Sequence, residues 1–500
     1  MAINSPLSRL NAVGPRKVLA ALLVRSAIVA PSALGGGVAF GQDVGGAELT
    51  EVVVTAQRRE QAVIDVPISV SVVTGEEIRD LNLSTFTSIA QKTPNFNVTF
   101  ERGTNAAPDL SIRGIRGEGS TARVNESSVA VYVDDIYLGD ENSLTGQMFD
   151  VERVEVLRGP QGTLFGRNTT GGLVQFVSAA PTDELTGDGS ILYGSDDWVT
   201  LSGAISGPLT DNFRPRLAGQ FEQHDGQFTN RATLPGVQEK LAAKKVWSIR
   251  STSDIDLGSA STLRLQFTQS ATDSESTPNY GLGVWEPTSS PASPVLCSRE
   301  EIRAAQCADA IVLSGQPPQD GRRAGDAITE LSRDELAITQ DLTSVTAKFE
   351  TDLGSASLIN VANYTDFKSR VGLDGDGGTT PSTLGGQRVY VVLRNGTEQF
   401  SNELRIQGDT GALNWVAGLF NYRDRKKTAS VINIRADNNA SRARVPSNAR
   451  VDTKSDAAFG QVDWQFVDEL TLSVGGRYTI ENRELVEAKL GPIQFGIVHE

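Results

Sequence analysis

The sequence is poor in the side chains that hold metals and haem, with only 2 His, 2 Cys and 2 Met among 500 residues. Haem, iron–sulfur and zinc sites need several such ligands at fixed spacing. His224 and His499 lie far apart in the sequence with no partner motif beside either, so neither supports a catalytic triad or a metal pair. We therefore expect a protein that is not an enzyme and that holds no resident cofactor or metal.

Positive charge is also scarce. The chain has 46 Lys and Arg against 61 Asp and Glu, a formal net charge of -15. A nucleic-acid-binding protein of this size would carry a basic patch, and none is evident, so we expect no nucleic-acid partner. The glycine-rich stretch 159–172 lacks the Gly-Lys-Ser/Thr ending of a phosphate loop. Residues 374–377 lack the later glutamate of an EF-hand, which favours a turn over a calcium site.

The first forty residues have the pattern of an export signal. Basic residues between positions 9 and 17 precede an apolar stretch at 18–39, and Ala39-Phe40-Gly41 supplies the small residues of a cleavage site. Arg25 interrupts the apolar stretch, and the alternative is a disordered amphipathic leader. Export would place Cys297 and Cys307 in an oxidising compartment, where a disulfide closing a small loop is expected. A pair of free thiols is the alternative.

Between about residue 48 and residue 181 the sequence mixes helix and strand signals. Thr74 before Glu76 and Glu77 predicts one helix start, and Ser84 or Thr85 before residues 86–91 predicts another. Short β-branched runs lie around them at 68–73, 110–112, 129–133, 151–157 and 174–177. These signals predict a compact α+β domain.

After about residue 187 the helical patterns end and long alternating segments begin. We predict eleven strands, at 188–195, 198–207, 213–224, 243–256, 260–271, 338–352, 356–370, 396–408, 412–427, 452–466 and 470–484. Short turns alternate with long connections, at about 225–242, 272–337, 371–395 and 428–451. A polar strand face opposite an apolar one, with short turns at one end and long loops at the other, is typical of an outer-membrane β-barrel.

An odd number of strands cannot close a bacterial single-chain barrel, and an open edge in lipid leaves backbone groups unpaired. We therefore expect the sequence to stop partway round the barrel. The alternative is a soluble all-β array, such as a β-helix or an adhesin. Its regular repeat period fits the long polar loops less well.

Several segments carry a family resemblance. Glu51-Val52-Val53-Val54-Thr55-Ala56 resembles the TonB box, the energy-coupling segment of TonB-dependent outer-membrane receptors. Residues 150–172 resemble the plug signature of that family, and 110–114, 133–135 and 401–405 also fit its pattern. Leu173 departs from the family's usual small residue, and the length departs from a barrel of about 22 strands.

The resemblance implies an α+β plug domain inside a transmembrane antiparallel β-barrel. It divides the chain into a signal peptide at 1–41, a periplasmic leader with the TonB box at 42–59, a plug at 60–185 and the N-terminal part of the barrel at 186–500. The implied function is TonB-dependent transport across the outer membrane of a Gram-negative bacterium, with outer-membrane lipid around the barrel. The expected cargo is a ferric siderophore. Carbohydrate oligomers or cobalamin-like cargo, and the different class of a surface adhesin or secreted β-rich protein, stay open as alternatives.

The resemblance also implies site residues. The box should be an extended, exposed segment that adds to a sheet edge of TonB. Arg113 and Arg158 of the plug should pair with Glu403 of the barrel, whose alternative role is to line a hydrated lumen. The candidate ligand contacts, which could equally be solvated loop residues, are Arg116, Arg123, Glu126, Asn142, Tyr280 and Trp285. The identity of the cargo does not follow from them.

Overall fold

The computed structural model describes residues 53–59, 61–81, 83, 85–100, 108–116, 126–144, 146–230, 238–276, 326–327, 332–374, 387–436, 442–467, 469–491 and 494–496. The predicted signal peptide, the predicted disulfide between Cys297 and Cys307, and the candidates Arg123, Tyr280 and Trp285 lie outside these ranges. Within them, no helix has both the length and the apolar character needed to cross a membrane.

The two predicted helices of the α+β domain, here called the plug, are present as α1 (Gly75–Asp80) and α2 (Phe86–Lys92). Each begins with a reciprocal capping box, in which Thr74 pairs with Glu77 and Thr85 pairs with Ser88. Both predicted helix starts are therefore confirmed, because the hydroxyl and its partner three residues later satisfy amide groups at the helix N-terminus.

The plug strands are β1 (Val53–Val54), β2 (Gln61–Ala62), β3 (Ser69–Thr74), β4 (Phe96–Phe100), β5 (Pro108–Ile112), β6 (Ile115–Arg116), β7 (Val129–Val133), β8 (Ile136–Tyr137), β9 (Val151–Arg158) and β10 (Gly172–Ser178). The central sheet has the order β3-β9-β10-β7-β8, with β7 parallel to β10 and the other pairs antiparallel. A small sheet has the order β4-β5-β6. Buried aliphatic and aromatic residues of both sheets and of α2 form one core, in which Phe86 packs edge-on against Phe176 at 5.5 Å.

The second half of the chain is dominated by one large antiparallel sheet. Its strands in order are β11 (Thr186–Tyr193), β12 (Val199–Ser206), β13 (Phe213–His224), β16 (Lys244–Asp256), β17 (Ser261–Glu275), β19 (Ala337–Asp352), β20 (Ala356–Asp374), β21 (Gln387–Asp409), β22 (Leu413–Ala436), β23 (Arg442–Val467) and β24 (Leu470–Leu490). These are the eleven predicted strands, each paired with its neighbour in sequence order. Short additional elements are β14 (Phe228–Asn230), β15 (Lys240–Leu241), β18 (Asp326–Ala327), α3 (Arg333–Leu336) and β25 (Gln494–Gly496).

The large sheet shows its alternation clearly on β21, with polar residues on the plug-facing side and apolar residues on the other. Glu403 and Arg405 are buried against the plug, whereas Leu404 between them is 38% exposed and Phe400 is 44% exposed, because successive side chains of a strand point to opposite faces. On β20 the inner face also carries buried apolar residues, among them Ile359 and Phe367. The alternation on β21 is the pattern of a barrel whose outer face meets lipid, and the lumen is occupied by the plug.

Tight turns join the strands at one end. Residues 256–260 and 352–356 share the sequence Asp-Leu-Gly-Ser-Ala, and Gly258 and Gly354 have φ values of +92° and +90°. This left-handed conformation favours glycine. At the other end the strands are longer than predicted: β21 begins at residue 387 instead of 396, and β22 ends at residue 436 instead of 427. Backbone pairing between β21 and β22 continues over these additional residues, up to the pair Gln387 and Ala436.

Candidate functional site at the contact between plug and barrel

The box segment, defined here as residues 53–59, is docked in this structure. Val53 and Val54 pair with Ala62 and Gln61 in an antiparallel hairpin. Val54 and Ala56 are buried, and only Val53 is substantially exposed, at 40%. The predicted exposed and extended conformation is therefore wrong for most of the described part of the segment. Glu51 and Val52 lie outside the described residues.

Thr55 fixes the box segment to the plug sheet. Its amide donates to both carboxylate oxygens of Glu155 on β9, at 3.0 and 3.1 Å, and its hydroxyl donates to the Oε1 atom at 3.1 Å. The hydroxyl also accepts a hydrogen bond from Gln175 Nε2 at 3.0 Å. Burial raises the pKa of Glu155, and Arg153 opposes this effect. These contacts satisfy the polar groups of Thr55 inside the protein.

Four residues form a closed ring of ion pairs, called the charge ring below: Arg58, Asp135, Arg405 and Glu403. Arg58 lies 3.1 Å from Asp135 Oδ1 and 3.1 Å from Glu403 Oε2. Arg405 lies 3.1 Å from Asp135 Oδ2 and 3.0 Å from Glu403 Oε1. Every carboxylate oxygen of the ring has its own guanidinium partner. The ring joins the box segment and the plug to strand β21 of the barrel.

Burial makes the charge ring a strong constraint. The side chains of Arg58, Arg405 and Glu403 are 1%, 4% and 7% exposed. Burial alone would raise the pKa of Asp135, but Arg405 and Arg58 outweigh it and hold that pKa well below its usual range. Two cations and two anions leave no net charge, whereas removal of one member would leave an uncompensated buried charge.

The backbone and two aromatic rings orient members of the charge ring. Asp135 is the second residue of the two-residue turn between β7 and β8, and its φ of +70° suits a hairpin turn of the primed type. Arg58 has a φ of +63°, which is uncommon for a residue other than glycine. Its guanidinium lies 4.4 Å from the ring centroid of Phe165 and 5.1 Å from that of Tyr132. Cation–π attraction therefore adds to the ion pairs.

The predicted pairing of Arg113 and Arg158 with Glu403 is wrong. Arg158 donates to the carbonyl oxygens of Pro94 at 3.2 Å and of Val70 at 3.4 Å, both within the plug. Arg113 is exposed, at the end of β5. Glu403 does face the lumen, as its strand pattern predicted, and its partners there are Arg58 of the box segment and Arg405 of its own strand. The carbonyl groups around Arg158 accept the hydrogen bonds of its guanidinium group, which the prediction had assigned to the Glu403 carboxylate.

Further polar contacts join the box segment and the plug to several barrel strands. Arg59 pairs with Asp463 at 2.5 Å, and Gln266 donates to Asp134 at 3.0 Å. Arg250 is fully buried and donates to the carbonyl oxygens of Phe149 and Gln147, at 3.0 and 3.2 Å. Higher on β21, Gln399 donates to the Tyr137 carbonyl at 2.6 Å and accepts from the Gly139 amide at 2.8 Å.

Two cavities lie beside the box segment at the short-turn end. One, of about 520 Å³, is lined by Thr55, the charge ring residues Arg58, Asp135 and Arg405, and the turn around Gly354. The other, of about 300 Å³, lies between Thr55 and the barrel residues Arg264 and Lys348. Because Thr55 borders both cavities, the box segment can be reached from the end of the barrel that carries the short turns.

The structure separates the predicted ligand contacts into different environments. Arg116 is largely exposed and lies 3.7 Å from Asp109. Glu126 pairs with Arg167 and lies 3.6 Å from Arg483, so its carboxylate already bridges plug and barrel. Asn142 is buried, and its amide group donates to Asp140, so the structure does not present it to a ligand. Among the described candidates, only Arg116 has a freely accessible charged group.

Glu141 has a perturbed carboxyl group that the sequence reasoning missed. It begins a short 3-10 helix over Glu141–Leu144. Burial raises the pKa of its carboxyl group to about 7, and the neighbouring carboxylates of Asp140 and Asp109 add to this shift. Sequence offers only a weak signal for such a group, namely two adjacent acids followed by residues that become buried.

The charge ring was also missed as a unit, although all four of its members lie within segments singled out from the sequence. Arg58 lies in the predicted leader at 42–59, Asp135 ends the segment 133–135, and Glu403 and Arg405 lie in the segment 401–405. Because Glu403 and Arg405 lie two residues apart on one strand, their side chains point to the same face. The sequence could therefore have indicated two neighbouring charges on the lumen side. The position of Arg58 beside them depends on how the box segment folds back over the plug.

Comparisons with known proteins agree with this arrangement. Residues 62–173 match the family described as TonB-dependent Receptor Plug Domain, and residues 246–484 match the one described as TonB dependent receptor-like, beta-barrel. The vitamin B12 transporter of Vibrio vulnificus (strain YJ016) is 29% identical over 185 residues, which are 37% of this chain and 30% of that protein. The ferrioxamine B receptor of Salmonella typhimurium (strain SL1344) is 28% identical over 200 residues, 39% of this chain and 27% of that protein.

A solved structure shares the fold. The ferric yersiniabactin uptake receptor from Yersinia pestis superposes with a TM-score of 0.61 at 18% identity, over 86% of this chain and 61% of that chain. At this identity the likeness concerns the fold alone. The matched region is less than two thirds of the length of each of these three proteins.

Proposed function

The chain belongs to the family of TonB-dependent outer-membrane receptors, and from this premise we propose that it serves in the active import of a scarce ligand across the outer membrane of a Gram-negative bacterium. The family consists of receptors and transporters. We propose the division into leader, plug at 60–185 and barrel part from 186 onward for this chain. The antiparallel sheet with tight turns leaves no place for the solenoid alternative.

The observation that carries the proposal is the charge ring. It joins the box segment to the plug and to the barrel wall through one set of buried ion pairs. A force on the box segment would therefore be transmitted to contacts that hold the plug against β21. Breaking a buried pair by withdrawing one partner costs about 3–5 kcal/mol. A free-energy cost of this size keeps the segment docked when no partner pulls on it. An energised partner could supply that free energy and release the segment.

TonB is the partner that we propose for the box segment. Val53 and Val54 already form one strand of a two-residue pairing with β2. Such a short pairing is easily exchanged for a longer one, because an extended segment gains backbone hydrogen bonds when it adds to the edge of another sheet. The cavities beside Thr55 provide access from the short-turn end, which lies on the periplasmic side in outer-membrane barrels.

A ferric siderophore is the cargo that we propose first, and cobalamin-like or carbohydrate cargo second. The named relatives include a ferrioxamine B receptor and a vitamin B12 transporter, and the solved structure is that of a ferric yersiniabactin receptor. Arg116 on the plug would suit an anionic chelate.

Deletion of residues 51–55 tests the transport mechanism. In cells we expect the deletion to abolish uptake of radiolabelled cargo while leaving binding of the cargo to the cell surface unchanged. The matched control is deletion of five residues from 42–46, in front of the box. Uptake that survives loss of the box would contradict the proposal, and uptake lost in both deletions would show a defect in export or folding.

A panel of labelled ligands separates the cargo classes. Ferric hydroxamates, ferric catecholates, cobalamin and an oligosaccharide are offered to cells that express the protein, with the box deletion as background. Uptake of iron chelates alone supports the first choice, and uptake of cobalamin or sugar alone replaces it. An adhesin would show surface binding with no box-dependent uptake of any of them.

A further inference from the structure

Four buried aromatic rings connect the neighbourhood of the charge ring to the barrel wall, and they are called the aromatic bridge below: Tyr132, Phe165, Tyr137 and Tyr422. The ring centroid of Tyr132 lies 5.3 Å from that of Phe165 and 5.7 Å from that of Tyr137. Tyr137 in turn contacts Tyr422 of β22 at 5.5 Å. None of the four residues is more than 5% exposed. The bridge is therefore one continuous contact that runs from the plug into the barrel wall.

An arginine lies at each end of the aromatic bridge. Arg58 of the charge ring stacks on Phe165 and Tyr132, as described above. At the other end, the Arg167 guanidinium lies 5.0 Å from the ring centroid of Tyr422 and 5.8 Å from that of Tyr137. The Arg167 side chain is only 9% exposed, and cation–π attraction is stronger where the cation is desolvated. Each arginine is thus held against the bridge on its own side.

Ion pairing alone does not explain how Arg167 is oriented. Its Nη2 atom pairs with Glu126 and lies 3.5 Å from Glu481 of β24. Its Nε and Nη1 atoms are buried and have no hydrogen-bond partner among the described residues. Glu126 also has a second cation, Arg483, at 3.6 Å. Because only one nitrogen of the Arg167 guanidinium makes ion pairs, the two tyrosine rings fix the plane of the group.

The loop between β9 and β10 joins the two ends of the bridge. Phe165, which stacks on Arg58, and Arg167, which stacks on Tyr422, lie two residues apart in this loop. Asn168 of the same loop donates to the Tyr137 hydroxyl at 2.7 Å. Tyr422 stands opposite Ser401, two residues along β21 from Glu403, a distance of about 7 Å along the strand. A shift of Arg167 along the wall would therefore move Phe165 against the Arg58 guanidinium.

We propose that Arg167 is a positioning residue for the charge ring. Its stacking on Tyr137 and Tyr422 holds the aromatic bridge against the barrel, and the bridge holds Arg58 between Asp135 and Glu403. Docking of the box segment then depends on a side chain outside that segment. The proposal rests on the proposed function, in which docking of the box segment limits access of TonB, but its test measures docking itself and requires no transport.

Hydrogen exchange of the Thr55 amide tests the proposal on the intact protein in detergent micelles, because that amide donates to Glu155 when the box segment is docked. Arg167→Met should raise the exchange rate by about tenfold, the factor that corresponds to loss of one buried cation–π contact. The matched control is Arg483→Met, which removes the other cation beside Glu126 and should leave the exchange rate unchanged. Amides of the plug core should keep their protection in both variants. Heat-dependent migration on unboiled gels verifies that each variant is folded.

A double variant separates positioning of the charge ring from a general structural role. If Arg167 acts through Arg58, then Arg167→Met should change the Thr55 exchange rate by less than about twofold once Arg58→Met is present. A side chain that merely stabilises the plug would add its full effect in that background.

Tyr422 allows the same comparison from the barrel side if Arg167→Met does not fold. Tyr422→Leu removes the ring and should raise Thr55 exchange by about tenfold. Tyr422→Phe keeps the ring, loses only the hydroxyl that donates to Asp424 at 2.8 Å, and should not raise it. An unchanged rate in Arg167→Met, an equal rise in Arg483→Met or additive effects in the double variant would overturn the proposal. Loss of uptake after deletion of residues 51–55 would stand in each of these cases, so the proposed function is tested separately.

Discussion

Replacing Arg58 by Met removes one cation from the charge ring and keeps a side chain of similar length. Asp135 and Glu403 would then share Arg405 as the remaining cation within the ring, which leaves one negative charge uncompensated in a buried position. Loss of one partner from a buried ion pair costs about 3–5 kcal/mol, and the lost stacking on Phe165 and Tyr132 adds about 0.5–2 kcal/mol. Packing of the Met side chain returns part of this cost. We therefore expect docking of the box segment to weaken by about 3 kcal/mol, or roughly 150-fold.

Hydrogen exchange of the Thr55 amide measures this effect directly, because that amide donates to Glu155 only while the segment is docked. Its protection should fall by about two orders of magnitude in Arg58→Met, while amides of the plug core keep theirs. The matched control is Arg214→Met, which breaks a pair with Asp256 at the barrel surface and should change protection little.

A double variant tests whether the ring acts as a unit. Arg58→Met with Glu403→Gln leaves Asp135 paired with Arg405 and restores a neutral cluster. The two changes together should cost less than the sum of the single changes, by about 0.5–3 kcal/mol. Unchanged protection in Arg58→Met, or additive losses in the double variant, would refute the view that charge balance in the ring holds the segment.

Three further predictions concern other parts of the plug. Thr55→Val removes the hydroxyl that contacts Glu155 and Gln175, and it should raise the exchange rate at residue 55 by about tenfold, measured with Thr55→Ser as the control. Burial raises the pKa of Glu141 to about 7, so between pH 4.5 and 7 the folded plug keeps a proton that the unfolded chain releases. The free energy of unfolding should therefore fall as the pH rises from about 4.5 to 7. Urea unfolding of Glu141→Gln should lack this pH dependence, and a profile identical to that of the parent protein would contradict the assignment. Gly172→Ala places a Cβ 2.2 Å from the Leu157 carbonyl oxygen at a φ of +138° and should destabilise the plug by more than 1 kcal/mol in the same assay, whereas Gly162→Ala, where the Cβ meets nothing within 4 Å, should not.

Most of the fold could be predicted from the sequence because its signals are local. The hydroxyl and acid spacing at Thr74 and Glu77 determines a helix start without help from distant residues. In the same way, the period of two in the barrel strands and the repeated Asp-Leu-Gly-Ser-Ala turns are sufficient to order eleven strands. The ends of the long strands could not be predicted, because outside the apolar layer backbone pairing continues without a change in hydropathy to mark it.

The charge ring lay beyond sequence reasoning for a different reason. Arg58 and Glu403 are separated by hundreds of residues, and their contact depends on the docking of the box segment. Resemblance assigned Glu403 to Arg113 and Arg158, which lie in recognisable plug motifs. Arg158 instead finds carbonyl oxygens within the plug. The folded geometry determines which of many cations pairs with a given carboxylate in an interface. The sequence shows which cations are available but does not show which one lies within reach.

The hairpin of β7 and β8 has a mechanical consequence. Its turn residue Asp135 belongs to the charge ring, and two residues later Tyr137 packs against Tyr422 of the barrel at 5.5 Å and accepts a hydrogen bond from Gln399. The turn contains only two residues, so Asp135 and Tyr137 must move together when the hairpin moves. A shift of the plug along β21 large enough to release Tyr137 must also pull Asp135 from both arginines. Loss of the contacts between Tyr137 and the barrel and release of the box segment should therefore occur as one cooperative event.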